Sequence, residues 1–188
     1  SYELSLNPEK EKSQADIWFH LAGGGGGGAL SSALFKRLIP SPLLLSHYKV
    51  LRKRLPSSYL AIHCRATDMM CDYPGLYQQH RDLIDSYKAI YVATDNLEVV
   101  RFFEQQDLNV FNFSDLTTLG RRPKVGRLAE PKGPPTLHTS SMDSERKMKD
   151  LLGDIYLVTQ ATQLISNSAG GFISFLRHLR KDGTRESL

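Results

Sequence analysis

The residues best suited to chemistry sit at the end of one apolar run. Residues 59–68 read Tyr-Leu-Ala-Ile-His-Cys-Arg-Ala-Thr-Asp, a hydrophobic stretch that breaks abruptly into His63, Arg65 and Asp68. In an extended chain His63 and Arg65, two positions apart, project to the same side. One side chain can then hold a base or ribose while its neighbour grips a phosphate. Arginine suits the phosphate because its planar, permanently charged fork offers several N–H donors at once. The spacing fits a plainer arrangement equally well, in which Arg65 and Asp68 pair with each other at a strand end.

Such residues need a strand to deliver them. The apolar run follows Pro56-Ser57-Ser58 and ends in polar residues, which predicts a buried strand whose carboxyl end opens on a crevice. That crevice is where open α/β sheets bind ligands. The same design recurs in residues 89–96, Ala-Ile-Tyr-Val-Ala-Thr-Asp-Asn, and in residues 163–172, Gln-Leu-Ile-Ser-Asn-Ser-Ala-Gly-Gly-Phe. Residues 108–113 read as a further strand. Helical patterns lie between: residues 29–38, 43–55, 76–87, 99–106, 142–162 and 172–180, the second opened by Ser41-Pro42. Lys49, Arg52, Lys53 and Arg54 read as a solvated helix face. Alternating strands and helices predict an α/β fold with a mostly parallel, doubly wound, Rossmann-like sheet.

The motifs His-Cys-Arg-Ala-Thr-Asp, Tyr-Val-Ala-Thr-Asp-Asn and Leu-Ile-Ser-Asn-Ser-Ala-Gly-Gly-Phe, with Pro135-Thr136-Leu137-His138-Thr139 between the last two, occur in an order resembling one family. They are similar to the nucleotide-binding half of GDP-fucose-dependent fucosyltransferases: the α1,6-fucosyltransferases, the nodulation fucosyltransferases and the protein O-fucosyltransferases. Residues 154–162, Asp-Ile-Tyr-Leu-Val-Thr-Gln-Ala-Thr, resemble the family's helix leading into the last strand. The resemblance spans residues 55–179. It implies the donor-binding domain of a GT-B-type glycosyltransferase, with transfer of fucose from GDP-fucose to a glycan or protein hydroxyl with inversion. Where the family often carries two adjacent arginines after the His, this chain has Arg65 and then Ala66, leaving one guanidinium for the donor's diphosphate.

The resemblance assigns roles by position. His63 and Asp95 position the nucleoside, Asp95 by accepting the N–H groups of guanine, and Asp68 and His138 lie near the donor. Ser166, Asn167, Ser168, Ala169 and Gly170 meet the diphosphate beside Arg65 at a helix N-terminus. Asp72 stands one position from the family's proposed base for the acceptor hydroxyl. Local roles suit the same residues: Asp72 bonded to its own backbone, Thr94, Asp95 or Asn96 capping the next helix, and Ser168 capping the last one with glycines for packing. No Asp-x-Asp motif is visible, so a metal-independent reaction with no cofactor beyond the donor substrate is expected. A non-catalytic sugar-nucleotide-binding module, or a fragment lacking the acceptor domain, is the alternative expectation.

At 188 residues the chain suffices for one buried α/β domain and not for two comparable ones. The expected division is an N-terminal segment (1–22), a glycine linker (23–28) and the Rossmann-like domain (29–188). Six successive glycines define no phosphate-cradling shape, so a linker is the stronger reading. Residues 115–140 form a long Pro-, Gly- and Arg-rich excursion, with Arg121, Arg122, Lys124 and Arg127 as candidate anion contacts. A net charge of +4 suits an anionic small molecule and falls short of a nucleic-acid stripe. Two cysteines are too few for a disulfide framework or a zinc site; one bridge between them is possible, though the sequence does not suggest it. No apolar run approaches the length that spans a bilayer. The expected compartment is the cytoplasm for a bacterial protein and the secretory lumen for a processed eukaryotic one.

Overall fold

Among the described residues four strands form one parallel sheet in the order β3-β2-β1-β4. The computed structural model describes residues 32, 35, 41–66, 71–116, 144–168 and 170–181. β1 (Leu60–Cys64) lies centrally and pairs with β2 (Ile90–Thr94) on one side and β4 (Gln163–Ile165) on the other; β3 (Val110–Phe111) pairs with β2. The register sets Ile62 between Val92 and Ile165 and His63 beside Ala93. Every residue of β1 and β2 is buried, as expected for strands covered on both faces.

Six helices with both ends among the described residues flank the sheet: α1 (Pro42–Lys53), α2 (Tyr73–Gln79), α3 (Arg81–Asp85), α4 (Leu97–Glu104), α5 (Ser144–Gln160) and α6 (Gly171–Lys181). Strand alternation sends Leu60, Ile62, Ile90 and Val92 into one core with Leu76 and Tyr77 of α2, Ile84 of α3, and Val99 and Phe103 of α4. Ala61, Tyr91 and Ala93 face a second core with Tyr48 of α1, Leu157 and Val158 of α5, and Phe175, Leu176 and Leu179 of α6. Each fully buried large apolar side chain contributes about 1.5–3 kcal/mol relative to exposure. The predicted α/β, doubly wound parallel fold is therefore what forms.

Local chemistry sets the element ends. Ser41 caps α1, its Oγ accepting from the Leu44 N–H at 3.3 Å, with Pro42 in the first turn. At the other end Arg52 is not a solvated charge. Its guanidinium donates to the carbonyls of Leu55, Pro56 and Ser57 and lies 4.9 Å over the Tyr59 ring, fixing the approach to β1. Gly153 lets α5 approach α1, since a Cβ there would stand 3.2 Å from the Tyr48 ring, whose hydroxyl donates to the Lys149 carbonyl.

Two expected element boundaries are also revised. The single helix over 76–87 begins earlier, at Tyr73, because Asp72 and Pro74 start it, and it breaks at His80 into α2 and α3. Of the strand over 108–113 only two residues pair with β2. The N-terminal segment and glycine linker lie outside the described residues, as do Arg121, Arg122, Lys124 and Arg127; of the helix over 29–38, Ser32 and Phe35 are described and helical.

Candidate functional site

The chain leaves β1 toward the α2 and α3 face and leaves β4 toward the α6 face. The carboxyl ends of these adjacent strands therefore diverge, which is where doubly wound sheets open a ligand crevice. Beside that switch point a crevice of about 320 Å³ opens over the carboxyl ends of β1 and β2, lined by His63, Arg65, Thr94 and Asp95, by Asp150 and Asp154 of α5, and by Phe172 at the start of α6, among others. That volume falls at the lower end of small-molecule sites.

The two strand exits are stitched together across the switch point. His63 Nδ1 lies 3.1 Å from Ser166 Oγ, and the Arg65 backbone N–H donates to Ser168 Oγ at 3.3 Å. Ser166 Oγ also accepts from the Ser168 N–H at 3.1 Å. Asn167 bridges to the loop before α2: its Nδ2 donates to the Asp72 carbonyl at 2.7 Å, and its Oδ1 accepts from the Cys71 thiol at 2.9 Å. The sequence-expected cluster of His63, Arg65, Ser166, Asn167 and Ser168 is thus brought together.

His63 is only 6% exposed, with its ring 5.3 Å from that of Phe172. Burial, and then the positive fields of Arg65 and Arg177, lower its pKa to about 4. The imidazole is therefore neutral at physiological pH and acts as a hydrogen-bonding group.

Asp95 Oδ1 accepts from the Ala66 N–H at 2.8 Å, holding the β1 exit against β2. The cap of α4 is Asn96, whose Oδ1 accepts from the Glu98 N–H at 2.9 Å, while Thr94 Oγ1 accepts from the Asn96 N–H. Asp72 caps α2, its Oδ1 accepting from the Gly75 N–H at 2.8 Å. Ser168 is engaged with Arg65. The carbonyl that accepts from Ser174 in the first turn of α6 belongs to Gly170. A Cβ at Gly170 would meet nothing within 4 Å, so protein packing does not require that glycine. Asp68, His138 and Ala169 lie outside the described residues.

Three groups were not anticipated. Asp150 and Asp154, one turn apart on α5, form the crevice wall facing Arg65 and His63. The Tyr91 and Ser114 hydroxyls donate to Asp154 Oδ1 at 2.5 and 3.2 Å, and Asp150 Oδ2 accepts from the Asp115 N–H at 3.1 Å. Burial lifts Asp154 to about 7 against those two hydrogen bonds, with Asp150 and Asp95 adding to the rise. The third is Arg177, whose guanidinium donates to the Ser166 carbonyl at 3.3 Å. It brings a second positive charge beside the β4 exit, where the sequence motif provided only Arg65. The signal for the pair was legible: two carboxylates four residues apart on a helix whose later residues are core.

The crevice is electrically two-sided. Arg65 and the N-terminus of α6, where Gly171 and Phe172 line the cavity, offer positive charge and backbone donors; Asp95, Asp150 and Asp154 offer acceptors opposite. Among the described residues no cluster of His, Cys, Asp and Glu has the makings of a metal site, and no helix is long and apolar enough to cross a membrane. No protein-family model matches the chain, and no curated protein matches it.

Proposed function

We propose that the crevice binds a guanosine diphosphate sugar, GDP-fucose in the reading the sequence motifs favour, in the manner of a GT-B donor domain. The observation that carries this is the two-sided charge of a cavity over the carboxyl ends of β1 and β2, bounded by α5 and the start of α6. A nucleoside diphosphate has the matching polarity. Its phosphates take charge-assisted hydrogen bonds from Arg65 and the first-turn amides of α6, and its purine presents N–H donors to a carboxylate wall. Neutral His63 supplies an uncharged contact between the two ends.

In fucosyl transfer the acceptor hydroxyl loses its proton to a base as its oxygen attacks the anomeric carbon. The bond to the diphosphate breaks, and GDP departs with the added negative charge. Arg65 and the α6 N-terminus stabilise that charge as it develops. Asp72 is the candidate base from the chain's own residues. Its engagement as the α2 cap favours a second reading, a binding module that holds the donor without turning it over.

Calorimetric titration with GDP, GDP-fucose and UDP-glucose, alongside an Arg65→Ala variant, tests the site. Selective binding of the guanosine ligands with a loss of about 10- to 100-fold in the variant is the expected result, the worth of charged hydrogen bonds. Equal binding of UDP-glucose, or an unaffected variant, overturns the reading. Release of fucose from GDP-fucose in the presence of acceptor separates the transferase from the binding module.

A further inference from the structure

Asp154 takes two hydroxyl donors on a single oxygen. Tyr91 of β2 and Ser114, just beyond β3, both donate to Oδ1, at 2.5 and 3.2 Å. Oδ2 has no donor among the described residues and is not sealed from solvent, so it opens to the crevice that Asp154 lines. Asp150, one turn earlier on α5, accepts from the Asp115 N–H on its own Oδ2 at 3.1 Å and borders the same wall, as does Asp95 from the end of β2. Three carboxylates therefore surround one cavity of about 320 Å³. Like charges gathered around a confined space disfavour the last ionisation, so they hold a proton among them.

We propose that the free crevice carries one proton on this carboxylate wall, seated on Asp154, and that binding of the donor nucleotide expels it, so that the site loads more readily as pH rises. The inference rests on the donor-site reading above and names how that site is regulated.

The groups that face Asp154 from the neighbouring elements leave it as the seat of the proton. From β1, Arg65 is permanently charged, and His63, lowered to about 4 by burial and then by Arg65 and Arg177, is neutral above pH 5.5. From β2, Tyr91 is raised well above the ordinary phenol range by burial and then by Asp154, so it stays a donor. From α1, burial and then Asp150 raise Tyr48, whose hydroxyl donates to the Lys149 carbonyl. Asp115 is paired with Arg146 of α5. The start of α6 brings only Gly171 and Phe172 to the crevice. Enclosure of Asp154 outweighs its two hydroxyl bonds and, with Asp150 and Asp95 adding, raises its titration to about 7.

The sign follows from the ligand's donors. The guanine edge presents N–H groups, which need a carboxylate lone pair, whereas a protonated Asp154 sets its own O–H against one of them. The bound state therefore requires ionised Asp154, and the proton leaves to solvent. Only the ionised fraction of the free chain is competent: about half at pH 7 and about a tenth at pH 6. The apparent dissociation constant then rises about tenfold from pH 8 to pH 6.

The test titrates the native chain calorimetrically with GDP-fucose, which has no ionisation of its own between pH 5.5 and 8.5, in pairs of buffers with different heats of ionisation. The dependence of the observed heat on the buffer counts protons. The expected result is release of about 0.9 proton per ligand at pH 6, about 0.5 at pH 7 and under about 0.1 at pH 8.5, together with the tenfold change in affinity. Carbon NMR of the free chain should show one aspartate carboxyl titrating near pH 7 that is ionised throughout once GDP-fucose is bound. Asp154→Asn keeps an oxygen for Tyr91 and Ser114 and holds no proton, so both the release and the pH dependence should vanish. Binding with no proton exchange and a flat affinity, proton uptake, or release that survives in Asp154→Asn overturns this inference and leaves the donor-site reading standing. Absence of GDP-fucose binding at every pH overturns both. The wild-type proton count decides even where the variant fails to fold or to bind.

Discussion

A buried neutral histidine beside two guanidinium groups makes a specific demand on the pH dependence of folding. His63 binds its proton with a pKa of about 4 in the folded chain and near 6.5 when unfolded. Between those values the unfolded chain holds more protons than the folded one, so stability rises with pH across the window. The contribution is intact above pH 6.5, falls by about 2 kcal/mol by pH 5, and has fallen by about 3 kcal/mol at pH 4, at 1.36 kcal/mol per pH unit. Other carboxylates titrate in the same range, so the wild type alone does not isolate the effect. A His63→Gln variant does, because Gln carries no proton equilibrium and can still bond Ser166. Urea unfolding of both proteins at pH 7.5, 6, 5 and 4 should show the wild type losing about 3 kcal/mol relative to the variant. A difference that stays constant within about 0.5 kcal/mol across the series would falsify the picture of an enclosed, uncharged imidazole. Because burial is the largest cause and Arg65 the second, Arg65→Ala should move the His63 midpoint only part of the way back.

Asp154 should behave with the opposite sign. Its folded pKa of about 7 lies above the ordinary 3.8, so the wild type should lose up to about 4 kcal/mol relative to Asp154→Asn as pH rises from 4 to 8; parallel unfolding curves for the two proteins would contradict its enclosure. Gly75→Ala places a methyl against the Asp72 carboxylate and should cost about 1 kcal/mol, the worth of the lost cap. In an Asp72→Ala background the same change should become neutral or stabilising, since alanine is the better helix former; additive costs in the double-mutant cycle would show that the carboxylate is not the obstacle. Gly170→Ala has open space for its methyl, so thermal unfolding should be nearly unchanged while GDP affinity falls several-fold; unchanged affinity would mean that no ligand phosphate passes over that residue.

The fold was legible because both of its periodicities are strong. Three apolar runs ending in small or charged residues became β1, β2 and β4, and Ser41-Pro42 opened α1 as its chemistry dictates. Competition between neighbouring polar residues was not legible. Thr94, Asp95 and Asn96 all suit a cap, and only the register of β2 against β1 turns Asp95 toward the Ala66 N–H and leaves Asn96 to the helix. The four-residue spacing of Asp150 and Asp154 shows that they share a face of α5, and not what that face meets. The crossover from β3 to β4 swings their turn of the helix over the crevice. Arg177 was similarly hidden, as one basic residue among several on α6, until the helix was docked beside Ser166.

The neighbouring strands β1 and β4 are far apart along the chain: His63 and Ser166 are separated by 103 residues, and Arg65 and Ser168 by the same number. β1 and β2 find each other across a much shorter loop, so the entropy of closure delays β4 relative to the rest of the sheet. An intermediate holding only the β1 to β3 half has a core and no crevice. A ligand held between the β1 exit, α5 and the start of α6 therefore has no purchase on any partly folded chain, and it should slow unfolding without hastening refolding.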